Sequence, residues 1–525
     1  MAVIDVSDLK HALPGGRILF EDVSFRVGSG QHVALVGANG TGKTTILRLI
    51  AREERVQQGH IHVDGALAFM PQFIGVFGDE TTINQFLIRL SPKPIQDAAQ
   101  ELERAEIGLA ADSTGAQMRY ATALATWTEV GGYDAEVLWD TCCMLAVGRS
   151  FEAIAGRLLV TLSGGEQKRL ALESLFRSDA VVLLLDEPDN FLDIAGKRWL
   201  EHTINTSSKT IFYVSHDRAL LATTSTRVVT LEAKGAWTHG ASFAGYHDAR
   251  ERRIERVEEE HRRYREEHQR LVASMKELKR RAAISDALAS RAKASVTKLE
   301  RFEETSRPPE RPADQDIHVR LRGGRTGKIA FRATQLSIQD LTEPFDAEIL
   351  FGERIGVVGS NGTGKSHFLR LLNGEAIEHG GAWMLGARVR AGLFSQMHDR
   401  PDLGDKALVD IMTSRGLELG AAMAGLRRYE LRSVASQPFS LLSGGQQARF
   451  QLLILELAGP TMLLLDEPTD NLDVASAEAL EQGLGNYEGT VIAVTHDRWF
   501  MRLLDRFLVF NDDGTVVESP DHPYG

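Results

Sequence analysis

The chain is nearly devoid of cysteine. Its only two, Cys142 and Cys143, are neighbours among 525 residues, which excludes a disulfide framework and a four-cysteine metal centre and leaves burial as small apolar groups as their expected role. Proline is scarce too, at 15 residues, while 43% of the chain is hydrophobic and 25% charged; a collagen-like or wholly disordered protein is thereby ruled out. Long apolar runs are missing. The best of them, such as Val181–Leu185 and Met462–Leu465, have the length of strands, far short of the ~18 residues that cross a bilayer. No basic and then apolar leader opens the sequence at Met1–Val6, so a cytoplasmic protein is expected. Positive charge is in deficit, with 60 Lys and Arg against 72 Asp and Glu for a net −12. Taken alone, that balance argues against a nucleic-acid partner, although a sum over the chain hides segments of opposite sign.

What the sequence does contain is a repeat. Gly37-Ala38-Asn39-Gly40-Thr41-Gly42-Lys43-Thr44 returns in the second half as Gly359-Ser360-Asn361-Gly362-Thr363-Gly364-Lys365-Ser366. Three further motifs return at a shorter interval that is common to all three: Leu162-Ser163-Gly164-Gly165-Glu166-Gln167 as Leu442-Ser443-Gly444-Gly445-Gln446-Gln447, Leu185-Asp186-Glu187-Pro188 as Leu465-Asp466-Glu467-Pro468, and Ser215-His216-Asp217-Arg218 as Thr495-His496-Asp497-Arg498. The chain is two copies of one unit, and the difference between the intervals means that the first copy is enlarged, by about 42 residues that fall between about Thr81 and Val147. There Ala98–Ala105 and Met118–Thr128 read as helix with a break at Gly131-Gly132, either an enlarged helical subdomain or an arm for a partner. Domains are expected at 1–245, 246–315 and 316–525, fewer than a length prior of about 150 residues each suggests.

The segment between the copies differs in composition. Arg250–Arg301 holds 16 Lys or Arg, 10 Asp or Glu, and neither proline nor glycine. Its first part, about Tyr246–Arg281, predicts one helix about 54 Å long; a second runs from about Ala287 to Glu304 and stops before Arg307-Pro308-Pro309. Apolar residues are few, so such a hairpin buries little of itself and projects into solvent or onto a partner. Lys276, Lys279, Arg280, Arg281, Arg291 and Lys293 crowd its tip and are candidate RNA contacts; a solvated charged spacer is the plainer alternative.

Each Gly-rich motif follows an apolar strand, Val33–Val36 or Ile355–Val358, and opens a helix, the setting in which a phosphate loop works. Glycines let backbone N–H groups turn onto triphosphate oxygens, helped by the helix N-terminus. The candidate ATP ligands are Gly37, Asn39, Gly40, Gly42, Lys43, Thr44 and Thr45 in the first copy and Gly359, Asn361, Gly362, Gly364, Lys365 and Ser366 in the second. The lysines suit β- and γ-phosphates, and the Thr44 and Ser366 hydroxyls suit Mg²⁺. Leu183–Leu185 and Leu463–Leu465 are buried-strand runs that end in Asp186-Glu187 and Asp466-Glu467. The aspartates suit the metal shell, and Glu187 and Glu467 can polarise the attacking water as catalytic bases. His216 and His496, thirty residues further on, are placed to meet a γ-phosphate. Ser163-Gly164-Gly165 and Ser443-Gly444-Gly445 offer a hydroxyl and free N–H groups at helix starts, further anion-binding ends.

Together the phosphate loop, a Gln at Gln72 and Gln396, the Leu-Ser-Gly-Gly-x-Gln motif, the Asp-Glu box and the switch histidine resemble the ATP-binding cassette superfamily over nearly all of both copies. The resemblance implies an α/β fold, two phosphate-loop nucleotide-binding domains in tandem joined by a long helical hairpin, and ATPase activity. It also implies a head-to-tail sandwich formed within one chain, as a monomer, with ATP held between Lys43 and Ser443 and between Lys365 and Ser163, and with Gln72 and Gln396 at Mg²⁺ and ATP. Asn190-Phe191-Leu192-Asp193, Asn471-Leu472-Asp473, His-Asp-Arg at both switches, and Ser290-Arg291-Ala292-Lys293-Ala294 with Leu299-Glu300-Arg301 are similar to the ABC-F branch. Members of that branch bind the ribosome, its rRNA and tRNA, near the tRNA exit site; some tune elongation and others protect against antibiotics. The basic linker fits rRNA phosphates. The alternative is the ATPase subunit of a transporter with separately encoded membrane subunits, which leaves the basic hairpin without a role; a repair ATPase fits less, for want of zinc ligands. Asp189 stands where the second copy has Thr469, and His367 where the first has Thr45, so unequal turnover is expected. Leu13 and Pro14 precede the first strand instead of an aromatic for adenine, and the tip turn at about Ala282–Asp286 is short.

Overall fold

The structure is a computed structural model that describes residues 2–72, 80–111, 113–232, 234–282, 289–306, 308, 317–395 and 403–521. Gln396 and most of the expected tip turn lie outside the described residues.

In each copy a six-stranded sheet carries the motifs. Its order in the first copy is Leu67–Met70, Val182–Asp186, Thr210–Val214, His32–Gly37, Arg227–Glu232 and Gly235–His239, parallel except for the last strand. The second copy repeats this with Ala391–Phe394, Met462–Asp466, Thr490–Val494, Arg354–Gly359, Arg506–Phe510 and Val516–Ser519. Both faces of these sheets are covered, which is why the central strands are apolar between their end residues. Val182 and Leu184 pack with the helix Lys43–Ile50 and a three-stranded antiparallel sheet, while Leu183 and Leu185 pack on the opposite face with the helices Gly164–Arg177 and Ile194–Thr206. Met462 and Leu464 part from Leu463 and Leu465 in the same way.

The enlarged stretch of the first copy holds helices Ile83–Leu90, Lys93–Gly108, Thr114–Glu129 and Gly132–Val147. The last of these lays Trp139, Cys142 and Cys143 into the core, so both cysteines serve as apolar filling; burial pushes their thiols up to about 12.

The linker is two helices, Tyr246–Ala282 and Ala289–Thr305, the longer about 55 Å in length. They meet along a thin seam: Leu271 and Leu299 are buried, Tyr264 stacks on Phe302 at 5.1 Å, and His268 reaches Glu303 at 2.7 Å. Lys276, Lys279, Arg280, Arg281, Arg291 and Lys293 are all exposed. Glu277 pairs with Arg280 at 3.0 Å and Arg281 at 2.7 Å, surface contacts too weak to withhold either cation from a partner. After the hairpin, Ile317, Val319 and Leu321 enter the second copy's core.

Candidate functional site

The two copies face each other head to tail. Asn39, in the first phosphate loop, donates its backbone N–H to Asp473 at 2.8 Å and its side-chain amide to the Asn471 carbonyl at 3.0 Å. Asn361, its repeat-mate, donates to the Phe191 carbonyl at 3.1 Å. Gly445 lies so near that a Cβ there would stand 2.1 Å from the Asn39 amide, and one at Gly165 would stand 2.9 Å from the Phe191 carbonyl. The bare backbone of Gly445 is what allows the first phosphate loop to approach, whereas Gly165 makes room for Phe191 of its own copy, the acceptor of Asn361.

A reciprocal clamp closes the rim. Arg218, beside the first switch histidine, forms a two-pronged pair with Glu481 on the helix Val474–Gly485; Arg498, its repeat-mate, does the same with Glu201 on the helix Ile194–Thr206. Arg218 also lies 3.5 Å from Asp497 and over the Trp499 ring at 5.2 Å. None of these partners stood out in the sequence. The signal was there all the same: Glu201 and Glu481 are repeat-mates of each other, set apart by the same interval as Arg218 and Arg498.

Within each phosphate loop the glycines turn the chain where side chains cannot go: Gly37 has φ 155° and Gly359 φ 148°, and a Cβ at either would strike the neighbouring strand's carbonyl at 2.7 or 2.1 Å. Lys43 is buried and donates to its own loop carbonyls, Gly37 at 2.8 Å and Ala38 at 3.1 Å. Lys365 does likewise with Gly359 and Ser360 at 2.8 and 2.6 Å. Burial lowers the pKa of both lysines against the pull of nearby acids. Asp186 is buried beside the Thr44 hydroxyl with acceptor capacity unused, a donor set of hydroxyl and carboxylate oxygens that fits a hard divalent cation.

Glu187 and Glu467 sit in left-handed backbone, φ 49° and 46°, strain of the kind that accumulates at working sites. Burial, and for Glu187 the adjoining Asp186, raises both carboxyls, which makes each a stronger base once ionised. Their tethers differ. Glu187 accepts from Gln72 and from Asn190, both at 2.6 Å, whereas Glu467 accepts from the His496 backbone N–H at 3.1 Å. His216 and His496 stand 3.7 and 3.5 Å from these carboxylates. Burial, then the facing lysine, pushes both imidazoles down to about 3, so they are neutral near pH 7. Ser163 and Ser443 are engaged locally, each accepting from the N–H three residues on in a capping box that fixes the start of its helix. Ser163, Gly164 and Gly165 share a cavity of about 290 Å³ with Asn361, Glu467 and His496, while Gly445 sits against Asn39 of the opposite loop. Of the predicted residues only Gln396 is outside the described region; Thr45 and Ser366 open their helices beside the lysines. A groove beside the first loop is lined by Arg17, Leu19, Phe20 and Lys234, the Phe20 side chain being buried.

Comparison with known proteins identifies the family. The ABC transporter family profile matches residues 20–190 and 343–470. An antibiotic resistance protein of Mycobacteroides abscessus is 46% identical over 99% of both chains, and ABC transporter F family member 2 of Arabidopsis thaliana is 29% identical over 97% of this chain and 76% of its own. Among solved structures, RNase-L Inhibitor superposes with TM-score 0.57 at 16% identity over 98% of this chain and 90% of its own, a likeness of fold. Among the described residues no helix is long and apolar enough to cross a membrane. The chain belongs to the ATP-binding cassette family, in its F branch, and is an ATPase with two cassettes in tandem.

Proposed function

We propose that this ATPase works on the ribosome: it binds near the tRNA exit site, places the tip of its linker hairpin against RNA, and uses ATP to time its stay, so as to modulate translation or protect the ribosome from antibiotics. The observation that carries this reading is the placement of charge. Six exposed cations gather at the far end of a hairpin about 55 Å long in a chain whose net charge is −12. A phosphate-bearing partner rewards such a cluster by counterion release. That the Mycobacteroides relative is an antibiotic resistance protein supports the protective form of the reading. A cytoplasmic, monomeric protein with domains at 1–245, 246–315 and 316–525 is part of it.

At each ATP site we assign the roles as follows. Lys43 and Lys365 neutralise β- and γ-phosphate oxygens, with backbone N–H groups of the loops around them. Thr44 and Asp186, and Ser366 and Asp466, would hold Mg²⁺ together with Gln72 and Gln396, and the ion supplies charge neutralisation at the transferring phosphoryl group. Glu187 and Glu467 take the proton of the attacking water, and neutral His216 and His496 donate a hydrogen bond to the γ-phosphate. Ser163 and Ser443 with their glycines close over the nucleotide held by the opposite loop, so ATP favours the joined cassettes and product loss releases them.

Sedimentation tests the ribosomal reading. The Glu187→Gln/Glu467→Gln protein, held with ATP, pellets with ribosomes and is released at high salt. Neutralising Lys276, Lys279, Arg280 and Arg281 weakens pelleting and leaves basal ATPase unchanged. Recovery of the trapped protein with membranes in place of ribosomes refutes the reading.

A further inference from the structure

In register along the repeat, the two copies differ in charge at several positions beside the cassette interface, among them Lys168, Asp189, Asn190 and Lys197 of the first copy, which answer to Ala448, Thr469, Asp470 and Ala477 of the second. At these four, two additional lysines stand with one additional aspartate from each copy. Lys168, Asp189 and Lys197 are buried. Buried charges persist only when matched: Lys168 faces acids of its own copy, Glu187, Asp189 and Asp186, whereas Lys197 faces Asp470 and Asp497 of the other copy as well as Asp217 and Asp189 of its own, so the Lys197 part of the set spans the interface.

Lys197 is its centre. The ammonium lies 3.0 Å from the Asp217 carboxylate and 3.4 Å from the main-chain carbonyl of His496. Asp217 follows His216 and caps the next helix by accepting from Ala219 and Leu220, both at 2.9 Å; it therefore sets where the first switch loop stands. The His496 carbonyl belongs to the other site's switch, and that residue's N–H holds Glu467. One side chain thus joins the switch loops of both ATP sites. Burial opposes its charge, but Asp217, Asp470, Asp189 and Asp497 outweigh that and hold it protonated. Asp189, Asp470, Glu467 and Lys197 line one cavity between the cassettes. In the second copy Ala477 provides no such bridge.

We propose that Lys197 is a positioning residue that couples the two ATP sites, tying the Asp217 side of one switch to the His496 side of the other so that turnover at each site depends on the other. The proposal rests on the roles given above to Glu187 and Glu467.

The test is a turnover cycle on the full chain. ATP hydrolysis is measured for the native protein and for Glu187→Gln and Glu467→Gln singly, and the native rate is divided by the sum of the two single-blocked rates. Independent sites give a quotient of one. With Lys197 in place a quotient above about five is expected, and Asp189→Thr/Lys197→Ala, which installs the second copy's residues and removes both charges together, brings it below two. Lys197→Arg keeps the high quotient, which a general loss of packing would not explain. If the paired variant fails to fold, Lys197→Met, retaining the buried stem without the ammonium, gives the same fall. A quotient of one in the native protein, or a high quotient that survives in the folded variants without the ammonium, overturns the proposal. If both single-blocked proteins hydrolyse at the native rate, the glutamate assignment falls and the proposal with it.

Discussion

Substituting Glu481 by alanine removes one jaw of the clamp that holds the cassettes together and leaves Arg218 with its side chain 3% exposed. Removing one partner of a buried ion pair costs about 3–5 kcal/mol, because the remaining charge loses its compensation. Arg218 keeps Asp497 at 3.5 Å and the Trp499 ring, so the lower end, ~3 kcal/mol, applies. At ~1.4 kcal/mol per factor of ten, the ratio of joined to separated cassettes falls about 10²-fold. The equivalent change at Glu201 costs less, ~1–2 kcal/mol, since the Arg498 side chain is 18% exposed and water recovers part of its solvation. Energy transfer between dyes placed on the two cassettes, in the Glu187→Gln/Glu467→Gln background with saturating ATP, reads the ratio directly. Exchanging the charges with Arg218→Glu/Glu481→Arg recovers only part of it, because a carboxylate at position 218 faces Asp497, while the melting temperature of the separated cassettes does not move. A fall of less than two-fold in the Glu481→Ala protein would refute the claim that the clamp stabilises closure.

Gly445→Ala introduces a Cβ 2.1 Å from the Asn39 amide and 2.9 Å from the Asn471 carbonyl; ATP hydrolysis is expected to fall at least ten-fold through failed closure while the circular dichroism spectrum is unchanged, and wild-type turnover would count against the interface as described. Glu187→Gln keeps the Gln72 and Asn190 tethers within reach but removes the base, and turnover at that site drops on the order of 10²–10⁴-fold, read in single-turnover assays with Glu467→Gln present. Cys142 and Cys143 are both fully buried, with thiols pushed up to about 12, so a thiol reagent titrates neither in the native protein and both in denaturant; prompt labelling under native conditions would contradict their place in the core.

Features that depend on near neighbours were readable in the sequence. The linker helices run Tyr246–Ala282 and Ala289–Thr305, within two residues of the expected limits, because a stretch without proline or glycine between clear stop signals needs no tertiary information to be recognised. The phosphate loops and Asp-Glu boxes were equally plain, since their function needs fixed spacing within one turn of chain. Helices of the insertion reach further than expected, Lys93–Gly108 and Thr114–Glu129 against Ala98–Ala105 and Met118–Thr128, as packing extends segments whose own periodicity is weak.

What could not be read was the chemistry made by apposition. Asn39 and Asp473 are 434 residues apart, and Arg218 and Glu481 are separated by 263; no local pattern links them. Lys197 looks like any helical lysine until the second copy covers it. The repeat itself carries more than a domain count, however. Positions related by the repeat that keep opposite charges in both copies, Arg218 and Glu201 with Arg498 and Glu481, locate the symmetric contacts. Positions where one copy gains a charge and the other does not, Lys197 against Ala477 and Asp189 against Thr469, locate the places where two sites built from one plan are made unequal. A charge gained alone inside an interface is costly, so its compensators must lie close by, and Asp217, Asp189 and Asp470 around Lys197 are where that reasoning leads.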